Sequence, residues 1–274
     1  MKLRSLATLL AVGAIGLSQS SCFAVTDLDR FETRAGSTSN FTDLKLTMRG
    51  MTSHVAEYFE WRVIDGTNTL QSRGIILPLG GPNATLLAHG AIPKANGPFT
   101  LAFYADHNHD GIYTPPPPPV PGAAAEFPDH AWVLALDLTK ENADGVLDVQ
   151  FDHNTSFADL SKAPLEIGRP ASVHLTNMGG LLSKRIEVRI ADASSKRVVA
   201  FYRVPTIVQA AFDMQIPGMI DAGVIYSIEV YVDDGKDPAG AVQGFRFEKG
   251  SDSSGLDVTF DPGTAPRVTD VPPP

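Results

Sequence analysis

The sequence predicts an all-β protein made of two tandem antiparallel β-sandwich domains, with about seven strands in each. Three observations carry this. Short runs rich in Val, Ile, Phe and Tyr recur along the chain, each bounded by Gly, Pro, Asn or Asp. Glycine (24) and proline (21) are abundant enough to supply many turns, and 43% apolar residues suffice for packed cores. Several stretches of the first half return, in the same order, in the second.

Two leading segments precede the expected fold. Lys2 and Arg4 are followed by an apolar run from Leu6 to Leu17, and Ser18 to Ser21 then lead to Cys22. The run is too short for a comfortable transmembrane helix, and residues 1–22 have the layout of a secretory signal peptide. Cys22 is the only cysteine, and it stands just after small residues. The segment resembles the signal peptide of bacterial lipoproteins, with Gln19 where leucine is usual. That resemblance implies a lipidated Cys22, with palmitate or a similar acyl chain as the anchor. Cleavage by an ordinary signal peptidase near Ala24 is the alternative reading. A lone cysteine excludes an internal disulfide framework. Residues 23–41, rich in Ser, Thr, Asn and Asp, are expected to be a tether.

The first sandwich is expected over 42–155. Leu44–Met48 and Tyr58–Ile64 alternate, and Gly74–Leu77, Ala84–Ala88, Pro98–Tyr104, Ala131–Leu136 and Val146–Phe151 follow as further strand candidates. Trp61 and Trp132 are expected core aromatics. A long loop over 105–130 contains Pro115–Pro119, which reads as a stiff polyproline spacer. The boundary falls near 156–165, the second sandwich over 164–262, and residues 263–274, ending in Pro272-Pro-Pro274, read as a disordered tail. Helix signals are thin: Asn40–Leu44 and Thr155–Leu160 could each hold a turn, and Ile207–Met214 is ambiguous.

The internal echoes argue for a duplication. Glu60-Trp-Arg-Val-Ile-Asp65 returns as Glu187-Val-Arg-Ile-Ala-Asp192, and Gly90-Ala-Ile-Pro93 as Met214-Gln-Ile-Pro217. Phe103-Tyr-Ala-Asp106 returns as Val230-Tyr-Val-Asp233, and Gly145–Asp152 as Gly255–Asp261. This strand density resembles an Ig-like sandwich in broad layout. The cysteine pair of antibody domains is missing, and a transthyretin-like or C2-like sandwich would give the same pattern, so strand order stays open.

The densest chemistry lies in the long loop. Asp106, Asn108, Asp110 and Gly111, with the carbonyl of Ile112, match the first half of an EF-hand-type calcium loop. Calcium takes six to eight oxygens, and alternating Asp and Asn can point inward at such spacing. Thr114 and Pro117 break the pattern, so closure would need Asp129 or Glu126 from the returning chain. Calcium is therefore the expected cofactor, and a plain Asx-rich turn is the alternative. His107, His109 and His130 flank the same loop and offer a competing transition-metal set. His54, His89, His153 and His174 are scattered and read as strand or loop surface residues. The matching place in the second half, Val232-Asp-Asp-Gly-Lys-Asp-Pro238, lacks the calcium spacing and the prolines, so the fold does not depend on them.

Composition narrows the function. The chain carries 22 Lys and Arg against 31 Asp and Glu, and no basic cluster interrupts that acidic balance, which excludes nucleic acid as a natural partner. Nucleophile-elbow, phosphate-loop, dinucleotide and zinc-protease motifs are all missing, so no enzyme class is indicated. The expectation is a non-catalytic lipoprotein of the bacterial cell envelope, exposed to the periplasm or the cell surface. It would act as a binding or structural module with an envelope protein or glycan as partner. The alternative is a transition-metal-handling accessory protein using the histidine-rich loop.

Overall fold

The computed structural model describes residues 40–95, 97–107, 129–153, 167–234 and 243–269. Among the described residues the first half holds seven strands: β1 (Phe41–Arg49), β2 (Tyr58–Asp65), β3 (Leu70–Ile76), β4 (Ala84–Pro93), β5 (Phe99–Asp106), β6 (His130–Leu136) and β7 (Val146–Asp152). The second holds β8 (Arg169–Leu175), β9 (Arg185–Asp192), β10 (Val198–Val204), β11 (Phe212–Ile220), β12 (Ile225–Asp233), β13 (Gln243–Gly250), β14 (Leu256–Phe260) and β15 (Arg267–Val268). Helix is confined, among the described residues, to short 3-10 turns at Thr52–His54, Leu138–Lys140 and Met178–Leu181. None is long and apolar enough to cross a membrane.

The two halves repeat one topology. In the first, β4-β1-β7 form a small sheet over β3-β2-β5-β6; in the second, β11-β8-β14 cover β10-β9-β12-β13. This is the tandem sandwich the alternating runs predicted. The order that sequence left open departs from the immunoglobulin arrangement, because the first strand lies between the fourth and the seventh. The antiparallel expectation holds for most pairs, but β1–β7, β8–β14 and β3–β10 are parallel. In each half the seventh strand returns alongside the first and runs parallel to it.

The β3–β10 pair fuses the larger sheets of both halves into one nine-stranded sheet, with Gly74 opposite Phe201. Alternation along β10 shows how the layers lie. Phe201 belongs to the first core, with Trp61, Phe59 and Leu46, while Ala200 and Tyr202 belong to the second, with Val188, Ile190 and Met214. Neighbours on a strand face opposite ways, so the two small sheets cover opposite faces of the long one. Parallel pairing at the seam together with opposite faces relates the halves by an approximate two-fold axis along the strands.

Buried charge recurs in both halves, with the seam arginines at different register positions, Arg73 opposite Arg62 and Arg203 opposite Glu187. Glu60 accepts from Arg62 Nε (2.8 Å), Arg73 Nε (2.8 Å) and Tyr104 Oη (3.0 Å). Glu187 accepts from Arg189 Nε (2.6 Å) and Arg203 Nε (2.9 Å). Each seam arginine also reaches across to the other half: Arg203 donates to the Thr85 carbonyl at 3.1 Å, and Arg73 to the Pro217 carbonyl.

Three sequence expectations change. The stretch expected as a tail supplies β15, which pairs with Gly244 and Phe245 of β13 and gives the second half an eighth strand. Asn40–Leu44 is no helical turn, because strand β1 begins at Phe41 and alternate residues bury from Thr42 onward. Phe212–Met214, in the ambiguous stretch, opens β11, because Phe212 and Met214 pair with Leu175 and Val173. The leader, most of the tether, and the stretches at 108–128 and 154–166 lie outside the described residues.

Candidate functional site

Chain ends gather at one end of the first sandwich. The turn after β1 carries His54, β5 closes on Asp106 and His107, β6 opens on His130, and His153 follows β7. Antiparallel pairing sets Ala105 opposite His130, which fixes the root of the long hairpin. Parallel pairing of β7 with β1 brings the amide of His153 onto the Arg49 carbonyl at 3.0 Å.

Three imidazoles converge there. His54 Nε2 lies 3.1 Å from His153 Nε2 and 3.1 Å from His130 Nδ1. One ring nitrogen from each of the three lies within 4.8 Å of the other two, and among the described residues this is the group arranged to hold a metal ion. His54 is buried, His153 half-buried and His130 exposed. Trp132 packs beneath, its ring centroid 4.1 Å from that of His130 and 5.4 Å, edge-on, from that of His54. Burial, and after it the neighbouring His54, push the His153 imidazole below its ordinary pKa, which favours its neutral form.

Glu57 organises the cluster. One carboxylate oxygen lies 2.7 Å from His54 Nδ1 and the other 3.0 Å from His107 Nδ1. A carboxylate only accepts, so His54 Nδ1 carries a proton, and in the neutral ring Nε2 presents a lone pair to the cluster. Imidazole nitrogens grouped in this way suit zinc, copper or nickel and make a poor site for calcium, which wants oxygen.

The predicted site residues divide accordingly. Cys22, Asn108, His109, Asp110, Ile112 and Glu126 lie outside the described residues. Asp106 and Asp129 are both buried, and Asp129 Oδ1 accepts the His107 amide at 3.0 Å. Of the two described members of the histidine set His107, His109 and His130, His130 enters the cluster, whereas His107 holds Glu57 from outside. His54 and His153 are corrected from scattered surface residues to partners of His130. No local signal marks them: they are separated from each other by 99 positions, and only tertiary folding joins them. The one sequence hint is the His54–Glu57 spacing of three within a tight turn.

No family model matches the chain, and no curated protein does. Among solved structures, the fimbrial anchor protein Mfa2 from Porphyromonas gingivalis is 12% identical, with a TM-score of 0.23, over 69% of this chain and 77% of that one. A mutant of the shaft pilin spaA from Lactobacillus rhamnosus GG is 10% identical, with a TM-score of 0.22, over 82% and 97% of the two chains. At such TM-scores these likenesses add nothing to the strand order described above.

Proposed function

We propose that the protein is a non-catalytic lipoprotein of the bacterial cell envelope, anchored through Cys22, that serves as a rigid structural or binding module at the membrane surface. The observation that supports this reading is the continuous nine-stranded sheet. Domains joined by an ordinary interface are expected to move relative to one another. Here backbone pairing of β3 with β10 and the reciprocal arginine bonds of Arg73 and Arg203 oppose such motion. A body of this kind holds its two ends at a set distance and orientation from each other. Envelope proteins and glycans are the partner classes that suit the location.

Metabolic labelling of the full chain in a bacterial host with radioactive palmitate tests the anchor. Label should enter the wild-type protein and disappear in Cys22→Ala; label retained in that variant overturns the anchoring. Small-angle scattering tests rigidity. One compact conformation is expected, and a profile that requires independently moving halves refutes it.

A further inference from the structure

We propose that His54, His130 and His153 form a binding site for a divalent transition-metal ion of the zinc class. The proposal goes beyond the envelope-module reading and does not depend on it.

The spacing suits a metal. A tetrahedral zinc ion holds imidazole nitrogens at about 2.0–2.1 Å, which puts neighbouring nitrogens about 3.3 Å apart. Two of the three separations here are 3.1 Å. Hydrogen bonding between the rings is a poorer account. With its Nδ1 proton held by Glu57, a neutral His54 has one lone pair on Nε2, and two nitrogens crowd it. One N–H can use that lone pair well and a second cannot, whereas a cation placed among the three accepts a lone pair from each. A carboxylate on the far nitrogen of a ligating histidine fixes ring and tautomer and raises ligand basicity, and Glu57 stands in that position at 2.7 Å. The exposed His130 and half-buried His153 leave a way in for an ion.

The duplication supplies an independent observation. Matching Glu60 with Glu187 places Leu181 where His54 stands, and Leu181 is buried in the second core. On the same alignment Lys184 replaces Glu57, and Gln243, which opens β13, replaces His130 at the opening of β6. Pro262 follows Asp261 where His153 follows Asp152. All three candidate ligands and their orienting carboxylate are therefore absent together from the copy that keeps the fold. Packing does not require a buried imidazole at a position the other copy fills with leucine. Burying a polar ring is costly unless its nitrogens are matched, and a bound cation would match them.

Calorimetric titration of chelator-stripped full-length protein with zinc chloride at neutral pH tests the site. One equivalent should bind, and excess zinc at about 100 times Kd should raise Tm by roughly 5–10 °C. His130→Ala and His153→Ala replace the accessible ligands, so both should keep the wild-type circular dichroism while zinc affinity falls more than roughly tenfold. Glu57→Gln should weaken binding by about 10–100-fold at unchanged stoichiometry. Cobalt(II) in place of zinc should give the visible absorption of a tetrahedral site, absent from His130→Ala. His107→Ala should retain binding. The proposal is overturned if wild-type protein takes up no zinc, or if folded His130→Ala and His153→Ala bind it as tightly as wild type. Zinc binding that His107→Ala abolishes and His153→Ala leaves intact would equally overturn it, moving the site to the loop. Palmitate labelling reads none of these outcomes, so the two proposals fail separately.

Discussion

Gly74→Ala should be among the most damaging single-methyl additions to this protein. Gly74 sits in β3 between Trp61 of β2 and Phe201 of β10, opposite both in register. A Cβ built there would lie 2.2 Å from Trp61 Nε1 and 2.4 Å from its Cε2, well inside the 3.4 Å at which ordinary contact begins. The indole has little room to retreat: it is 1% exposed, and the Phe201 ring stands 5.3 Å away, centroid to centroid. Overpacking a tight core costs about 1–3 kcal/mol. A clash against two seam aromatics belongs at the upper end, about 3 kcal/mol, or a Tm lower by roughly 6–12 °C for a protein of this size. Urea unfolding followed by tryptophan emission would measure it. Trp61→Phe should relieve the clash, so the double variant should be more stable than the sum of the single effects by about 1 kcal/mol or more. A loss below about 0.5 kcal/mol for Gly74→Ala, or strict additivity with Trp61→Phe, would refute the reasoning.

Two further outcomes follow from the duplicated polar groups. Burial pushes the Glu60 carboxyl up, but Arg73 and Arg62 outweigh it and hold the group down at about 2, and Glu187 is lowered in the same way by Arg189 and Arg203. A carboxyl depressed by folding contributes stability that is whole above its ordinary value near 4.5 and is lost as pH falls through the folded value, so unfolding free energy should decline from about pH 4.5 to pH 2. Glu60→Gln should be less stable at pH 7, where it takes the Glu60 charge away from two buried arginines, and flatter across that window; an unchanged slope would count against the assignment. At the hairpin turns, Asp65 Oδ1 accepts the amides of Thr67 (2.8 Å) and Thr69 (3.0 Å), and Asp192 Oδ1 those of Ser194 (2.9 Å) and Ser195 (2.7 Å). Replacing either aspartate by alanine should cost about 1–2 kcal/mol, and by asparagine less, because an acceptor remains. Equal losses for alanine and asparagine in thermal unfolding would show that these bonds are not the source.

Residues close in sequence settled what period and punctuation can encode. Alternation in Tyr58–Ile64 or Val146–Phe151 marks strands with one face buried, and the paired echoes, Glu60 with Glu187 and Tyr104 with Tyr231, mark equivalent strands of two sandwiches. Trp61 and Trp132 read as core because a large ring flanked by alternating residues has few other places to go, and both are buried. Partner choice lay beyond that reach. Nothing local in Leu70–Ile76 or Val198–Val204 distinguishes a seam strand from any other, yet their pairing makes one sheet of two. Gly74 shows why: its lack of a side chain acquires meaning only when Trp61 and Phe201 meet above it. The histidines show the same limit at the site. The sequence singled out His107, His109 and His130 because they are neighbours in the chain, whereas the fold gathers His54, His130 and His153 because β1, β6 and β7 have ends at one end of a sandwich. Local sequence sets which way a side chain points along its own strand, and only the packed sheets decide which other side chains it meets there.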